Sequence, residues 1–390
     1  MDFSEGVVWK RKGGMEMEIH GLISSEDTTQ KNKKKNKLKN KKKKNNKRSE
    51  ANGYRLVSFK DLPDYMKDNE YILDYYRANW PLKEAAASVF RWHNETLNVW
   101  THLLGFLLFL GLTMVNLMQL PQVADLLGQF TRSFPVAAAT NAFNDSKDFI
   151  LEATRLVELE MVEAEITPTS SVTTAARWPF FVYLAGSMFC LLCSGICHLF
   201  SCHSHSLTVQ MLRMDYLGIA VMIVTSFFPP VYYIFQCAPL WQFVYLAGIT
   251  MLGIFTVITL FSPSLSSGKF RSFRALLFIA MGFFAIIPAT HATVVNWSEP
   301  RRTITLVYES VMALSYLTGA FFYVSRIPER WRPGWFDLAG HSHQIFHVFV
   351  IMGALAHYGA ALIFVEWRNA VGCSKLSKET FTNLSFTVSV

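Results

Sequence analysis

Seven blocks of predominantly apolar residues constrain this chain more than any other feature. They span 97–118, 178–200, 214–236, 240–261, 273–294, 303–324 and 341–365. A bilayer core is crossed by a helix of about 20 apolar residues, and each block has that length. The composition agrees, with 51% apolar and only 17% charged residues, the charges lying mostly between the blocks. The expected fold is an all-α membrane protein, a seven-transmembrane-helix bundle.

The segments outside the blocks divide the chain further. Residues 1–52 form a Lys/Asn-rich tail, "KNKKKNKLKNKKKKNNKR", which holds much of the basic excess behind the net charge of +8. Such a composition favours disorder. A basic tail next to seven spans suits anionic lipid at about 1 kcal/mol per residue, and no nucleic-acid partner is expected. Residues 53–96 regain aromatics and read as amphipathic juxtamembrane helices broken at Pro81. The domain 97–366 includes a long loop, 119–177, with a Glu-rich helical pattern, and 367–390 form a tail. The first residues lack the apolar core of a signal peptide.

Charge sets the expected orientation. Arg213, Lys269, Arg271, Arg274, Arg326, Arg330 and Arg332 fall in loops on one side, against Arg301 and Arg302 in short loops on the other. This bias predicts a cytosolic N-terminus and a C-terminus outside. Sequons at Asn144, Asn296 and Asn383 then face outward, and that at Asn94 faces the cytosol. The leading location is the plasma membrane, with the endoplasmic reticulum or another endomembrane as the alternative. Six cysteines are too few and scattered for a disulfide framework. Cys190, Cys193, Cys197 and Cys202 read as small apolar residues.

Ionisable groups inside a span are costly and point to function. With this orientation, His198 ends the second span, Asp215 begins the third, and His343 and His347 begin the seventh. All four therefore fall at one depth near the cytosolic leaflet. His343 and His347 stand one helical turn apart on one face. Together with His198 they suit zinc, the fourth position being left for water or substrate. Asp215 is suited to orient that water or to act as base, and Ser194, one turn before His198, to contact ligand or substrate. His357 lies roughly 15 Å beyond His347 along the axis, too far to share an ion. It reads as a pocket or packing residue, His341 as solvated at the interface, and His203 and His205 as surface residues. Glu95, Asn98 and His102 share one face of the first helix and read as a polar face joining helices.

Several segments carry a resemblance to a known family. "HNETLNVWTHLLGF", "SGICHLFSCHS", "MDYLGIA" and "RIPERWRPGWFDLAGHSHQIFH" resemble signature segments of the progestin and adipoQ receptor superfamily, which includes the adiponectin receptors and is related to hemolysin III proteins. The Lys-rich tail and enlarged first outer loop are similar to the plant heptahelical transmembrane proteins of that superfamily. The resemblance implies zinc held by His198, His343 and His347, with Asp215 at the zinc-bound water and Ser194 in the S-x-x-x-H motif. It also implies ceramidase-like hydrolysis of a lipid amide, with a ceramide-like or fatty-acid ligand, and roles in hormone, sugar and stress responses. Two readings follow: a zinc-dependent receptor-like hydrolase, or a non-catalytic receptor or scaffold with structural zinc. Protein partners and oligomeric state are not legible.

Overall fold

The computed structural model describes residues 55–120, 123, 175–262, 265 and 268–373. The tail 1–52, most of the loop 119–177, the last residues of the chain, and the sequons at Asn144 and Asn383 lie outside the described residues. Among the described residues, seven helices are long and apolar enough to cross a membrane. They are α1 (Thr96–Met118), α2 (Trp178–Phe200), α3 (His205–Ile234), α4 (Pro239–Leu260), α5 (Arg271–Val295), α6 (Arg301–Ser325) and α7 (Ser342–Val371).

The helices depart from the apolar blocks where polar residues continue them. α3 starts at His205 rather than near 214, because its first turns, "HSLTVQMLR", are helical but too polar to register as apolar. Thr208 supports this start, its hydroxyl donating to the carbonyls of Ser201 at 2.6 Å and Ser204 at 2.9 Å. α7 runs past the apolar block to Val371. There the buried Arg368 guanidinium donates to the carbonyls of Tyr233 (2.7 Å) and Ile234 (3.1 Å), which end α3. A cation is well placed at a helix C-terminus.

Two spans are broken by proline. α3 is interrupted at Phe227, just before Pro229 and Pro230. α5 is interrupted at Phe284 and Ala285, upstream of Pro288. Proline has no N–H to offer the preceding turn and its ring crowds that carbonyl.

One core joins α1, α2, α3 and α7, with Phe109, Tyr183, Leu191, Met222, Ala354 and Phe364 buried in it. Close approach uses small residues, as is usual where lipid tails offer no hydrophobic drive between helices. Gly353 of α7 is one such point: a Cβ there would stand 2.6 Å from the Tyr316 ring of α6.

The segment before α1 differs from the amphipathic helices expected of it. It is an irregular strap with short turns at Phe59–Asp61, Asp64–Met66 and Ser88–Phe90 and one six-residue helix, Leu82–Ala87. Its apolar residues Leu62, Ile72 and Tyr76 pack on one another rather than on a surface. Polar bonds then fix it across one end of the bundle. Arg77 donates to the carbonyls of His198 (2.7 Å) and Leu199 (3.0 Å) at the end of α2. Asp337 accepts the N–H groups of Leu73 and Asp74, each at 2.9 Å. Ion pairs Arg271–Asp68 and Arg326–Glu70 hold it to the ends of α5 and α6.

At the opposite end Cys237 and Cys373 form a disulfide, their Cα atoms 5.5 Å apart. The sequence reading missed this pair because its members lie 136 positions apart and share no motif. The other four cysteines are free; Cys190, Cys197 and Cys202 are buried, as expected of small apolar residues.

Candidate metal centre

The last turn of α2 and the first two turns of α7 meet beneath the strap. There His198, His343 and His347 offer one ligand atom each, all within 4.8 Å of one another. The Nε2 atoms of His198 and His343 stand 3.2 Å apart. Two nitrogens bound to one tetrahedral zinc at 2.0–2.1 Å are roughly 3.4 Å apart, so this spacing fits such an ion.

Hydrogen bonds select the tautomers. His198 Nδ1 lies 2.8 Å from Glu95 Oε2, which also accepts Asn98 Nδ2 at 2.6 Å. His347 Nδ1 donates to the Asn98 carbonyl at 3.2 Å. In both rings Nδ1 is engaged outside the cluster and Nε2 is left for it, the arrangement that orients metal-ligating histidines. His102 stacks on His347 with ring centroids 3.6 Å apart. Glu95, Asn98 and His102 thus contact α2 and α7, and the bonds of Glu95 and Asn98 orient two of the three imidazoles.

Glu95 stands just ahead of α1. Burial raises its pKa, but the neighbouring His198 and the hydrogen bonds it accepts pull it below the ordinary carboxylate range. His93 accepts the Glu95 N–H at 3.1 Å and contacts the Ser88 carbonyl at 3.2 Å. Burial pushes the His93 imidazole down to about 4, consistent with a neutral ring that accepts at Nδ1.

Asp215 of α3 borders the cluster without joining it, and Ser194 is buried on α2 one turn before His198. Both His198 and Asp215 line a cavity of about 1560 Å³. That volume exceeds the roughly 300–1,000 Å³ of common small-molecule pockets. The cavity runs along the bundle, from Asp215 and His343 past Glu309 and His357 to Arg301 and Arg302.

The remaining histidines divide. His357 is hydrogen-bonded within the bundle, Nδ1 lying 3.2 Å from Glu309 Oε2, which matches its pocket or packing reading. His203 bonds the Trp80 carbonyl at 2.8 Å and His205 is exposed. His341 is a correction: it is 2% exposed, not solvated, with Nε2 3.3 Å from the Asn94 carbonyl. The strap covers it. Asn94 is likewise buried, so its sequon is not presented for modification.

Three polar residues escaped the sequence reading. Glu309 was a carboxylate within an apolar block, a signal available but unused. Arg77 and Glu329 sit in polar stretches, and only tertiary contacts reveal that they are buried.

Fold and site together define a multi-pass integral membrane protein with a histidine cluster inside one end of a seven-helix bundle. The chain belongs to the Haemolysin-III related family, whose model matches residues 90–358. Heptahelical transmembrane protein 1 of Arabidopsis thaliana is 56% identical over 318 residues, covering 82% of this chain and 83% of that protein. Heptahelical transmembrane protein ADIPOR1 of Oryza sativa subsp. japonica is 55% identical over 334 residues, covering 82% and 86%. The adiponectin receptor protein of Drosophila melanogaster is 30% identical over 307 residues, covering 78% of this chain and 58% of its own.

Proposed function

We propose that this chain is a zinc-containing, receptor-like membrane protein that binds a lipid in its cavity and hydrolyses a lipid amide of ceramide type. The observation that carries this reading is the convergence of three imidazoles, two of which, His198 and His343, stand with Asp215 on the wall of a large apolar cavity. His198, His343 and His347 would hold the ion. Zinc so held supplies a Lewis acid and lowers the pKa of its water toward neutrality. The chain's own groups do the rest. Asp215 moves the proton between water and the departing amine, and Ser194 orients that carboxylate. The apolar wall holds the acyl chain at about 0.8 kcal/mol per buried methylene. A receptor role is supported by kinship with a protein named an adiponectin receptor, and the bound or released lipid would be the signal.

The histidine end is proposed to face the cytosol. Arg213, Arg271, Arg274 and Arg326 gather at that end. The Cys237–Cys373 disulfide at the other end suits an oxidising compartment.

The test uses full-length protein purified in detergent. About one zinc per chain is expected, together with fatty-acid release from ceramide that stops on chelation and returns with zinc. Zinc with no release before or after reloading would sink the hydrolase and leave the structural-zinc reading. Glu95→Gln, which keeps the shape but weakens the hold on His198, should lower zinc affinity by about 10–100-fold, the usual cost of losing such a partner. Competition against a calibrated chelator measures it, and unchanged affinity would show that Glu95 does not orient the ligand.

A further inference from the structure

A second polar pair lies deeper in the same cavity. His357 follows His347 by ten residues of α7, roughly 15 Å along the axis. It is 2% exposed, and its Nδ1 stands 3.0 and 3.2 Å from the two carboxylate oxygens of Glu309 on α6. Both residues line the cavity.

A bridge between α6 and α7 would explain the His357–Glu309 contact but not what that contact leaves over. His357 Nε2 is buried without a hydrogen-bond partner, and Glu309 Oε1, though 3.0 Å from Nδ1, accepts no hydrogen bond because that N–H is directed at Oε2. Unsatisfied polar atoms and membrane-embedded ionisable groups are costly. The nearest aromatic neighbour does not relieve this, since the Tyr183 hydroxyl donates to the Ala354 carbonyl at 2.5 Å and only its ring meets His357. In the tautomer that gives Nδ1–H to Glu309, Nε2 is an acceptor beside an acceptor oxygen. Two acceptors on the wall of an apolar cavity suit one chemistry, a hydrogen-bond donor.

We propose that Glu309 and His357 form a second subsite that binds a hydroxyl or amine carried on the chain of the lipid, roughly 15 Å from the three-histidine end. This rests on the reading of the cavity as a lipid site. It makes the protein selective for lipids with a polar group far along the chain, where a plain cavity would reject them.

The probes are three series of increasing chain length: plain fatty acids, ω-hydroxy fatty acids and ω-amino fatty acids. Binding to the full-length, zinc-loaded chain is measured in lipid nanodiscs. In a purely apolar cavity a terminal hydroxyl weakens binding. Here one ω-substituted series should instead show an affinity maximum at the length that reaches the pair, about tenfold or more above the plain acid of equal length. Which series shows it identifies the donor. Glu309→Gln and His357→Gln should each erase the maximum while zinc content stays as in wild type. If plain acids bind and no substituted acid gains at any length, the subsite is wrong and the lipid cavity stands. A maximum that survives both substitutions also overturns it. If no acid binds at all, the cavity reading fails and takes this proposal with it. Should one variant fail to fold, the wild-type length series and the other variant still decide.

Discussion

Replacing His347 by alanine should leave the purified protein without zinc and without amide hydrolysis. His347 is 1% exposed, is held through Nδ1 by the Asn98 carbonyl, and is stacked on His102. Among the described residues no other imidazole is placed to substitute for it: His102 lies against its face, His341 turns Nε2 to the Asn94 carbonyl, and His357 is too far along the helix. Losing a partner behind a ligand costs about 10–100-fold in metal affinity, and losing the ligand itself should cost more. The folded protein should also lose the stabilisation that a ligand of the native state confers, so chelator should lower the thermal midpoint of wild type but not of His347→Ala. His291→Ala is the control, since His291 bonds the Tyr245 hydroxyl at 2.8 Å on α5, outside the cluster. It should retain zinc and chelator sensitivity. Equal fatty-acid release by wild type and His347→Ala would end the catalytic claim.

The seven spans were legible because apolar length is a local property that a bilayer reads directly. The three-histidine set was legible for a different reason. Once the spans alternate in direction, His198, His343 and His347 share a depth, and depth stands in for proximity. What stayed hidden has no such proxy. The strap between Leu56 and His93 reads as surface helices from its aromatics, yet its shape comes from Arg77, Asp68, Asn69 and Glu70 finding partners far away in sequence. His341 sits at the edge of a span, where solvation is the default, and becomes buried because that strap covers it. Glu95 reads as one of three polar residues on a helix face, and only the 2.8 Å contact with His198 shows that it supports a ligand. Parity along a membrane fixes one coordinate of each residue; rotation about the helix axis and loop paths need the fold.

Glu329→Ala should be among the most destabilising single changes outside the spans, and it should disturb the metal centre without touching it. Glu329 is 0% exposed and lies in the connection between α6 and α7. One carboxylate oxygen accepts the Ser342 N–H at 2.8 Å, and the other accepts the Ser342 hydroxyl and, at 3.1 Å, Asn69 Nδ2 of the strap. Ser342 is the first residue of α7, directly before His343. Glu329 thus ties the start of the helix that carries two imidazoles to the strap that closes over them. A carboxylate at a helix N-terminus also complements the helix dipole. Alanine leaves buried donors unmet at about 1–3 kcal/mol each, so a loss of about 3 kcal/mol or more is expected even if the Ser342 hydroxyl finds another acceptor. Glu329→Gln keeps one acceptor oxygen and should recover part of that loss. Thermal unfolding in one detergent, at saturating zinc and after chelation, measures both variants. Zinc affinity should fall along with stability, because a frayed first turn of α7 releases His343 before His347. If Glu329→Ala unfolds at the wild-type midpoint, or loses stability while binding zinc as tightly as wild type, the link from strap to metal centre is broken at this residue.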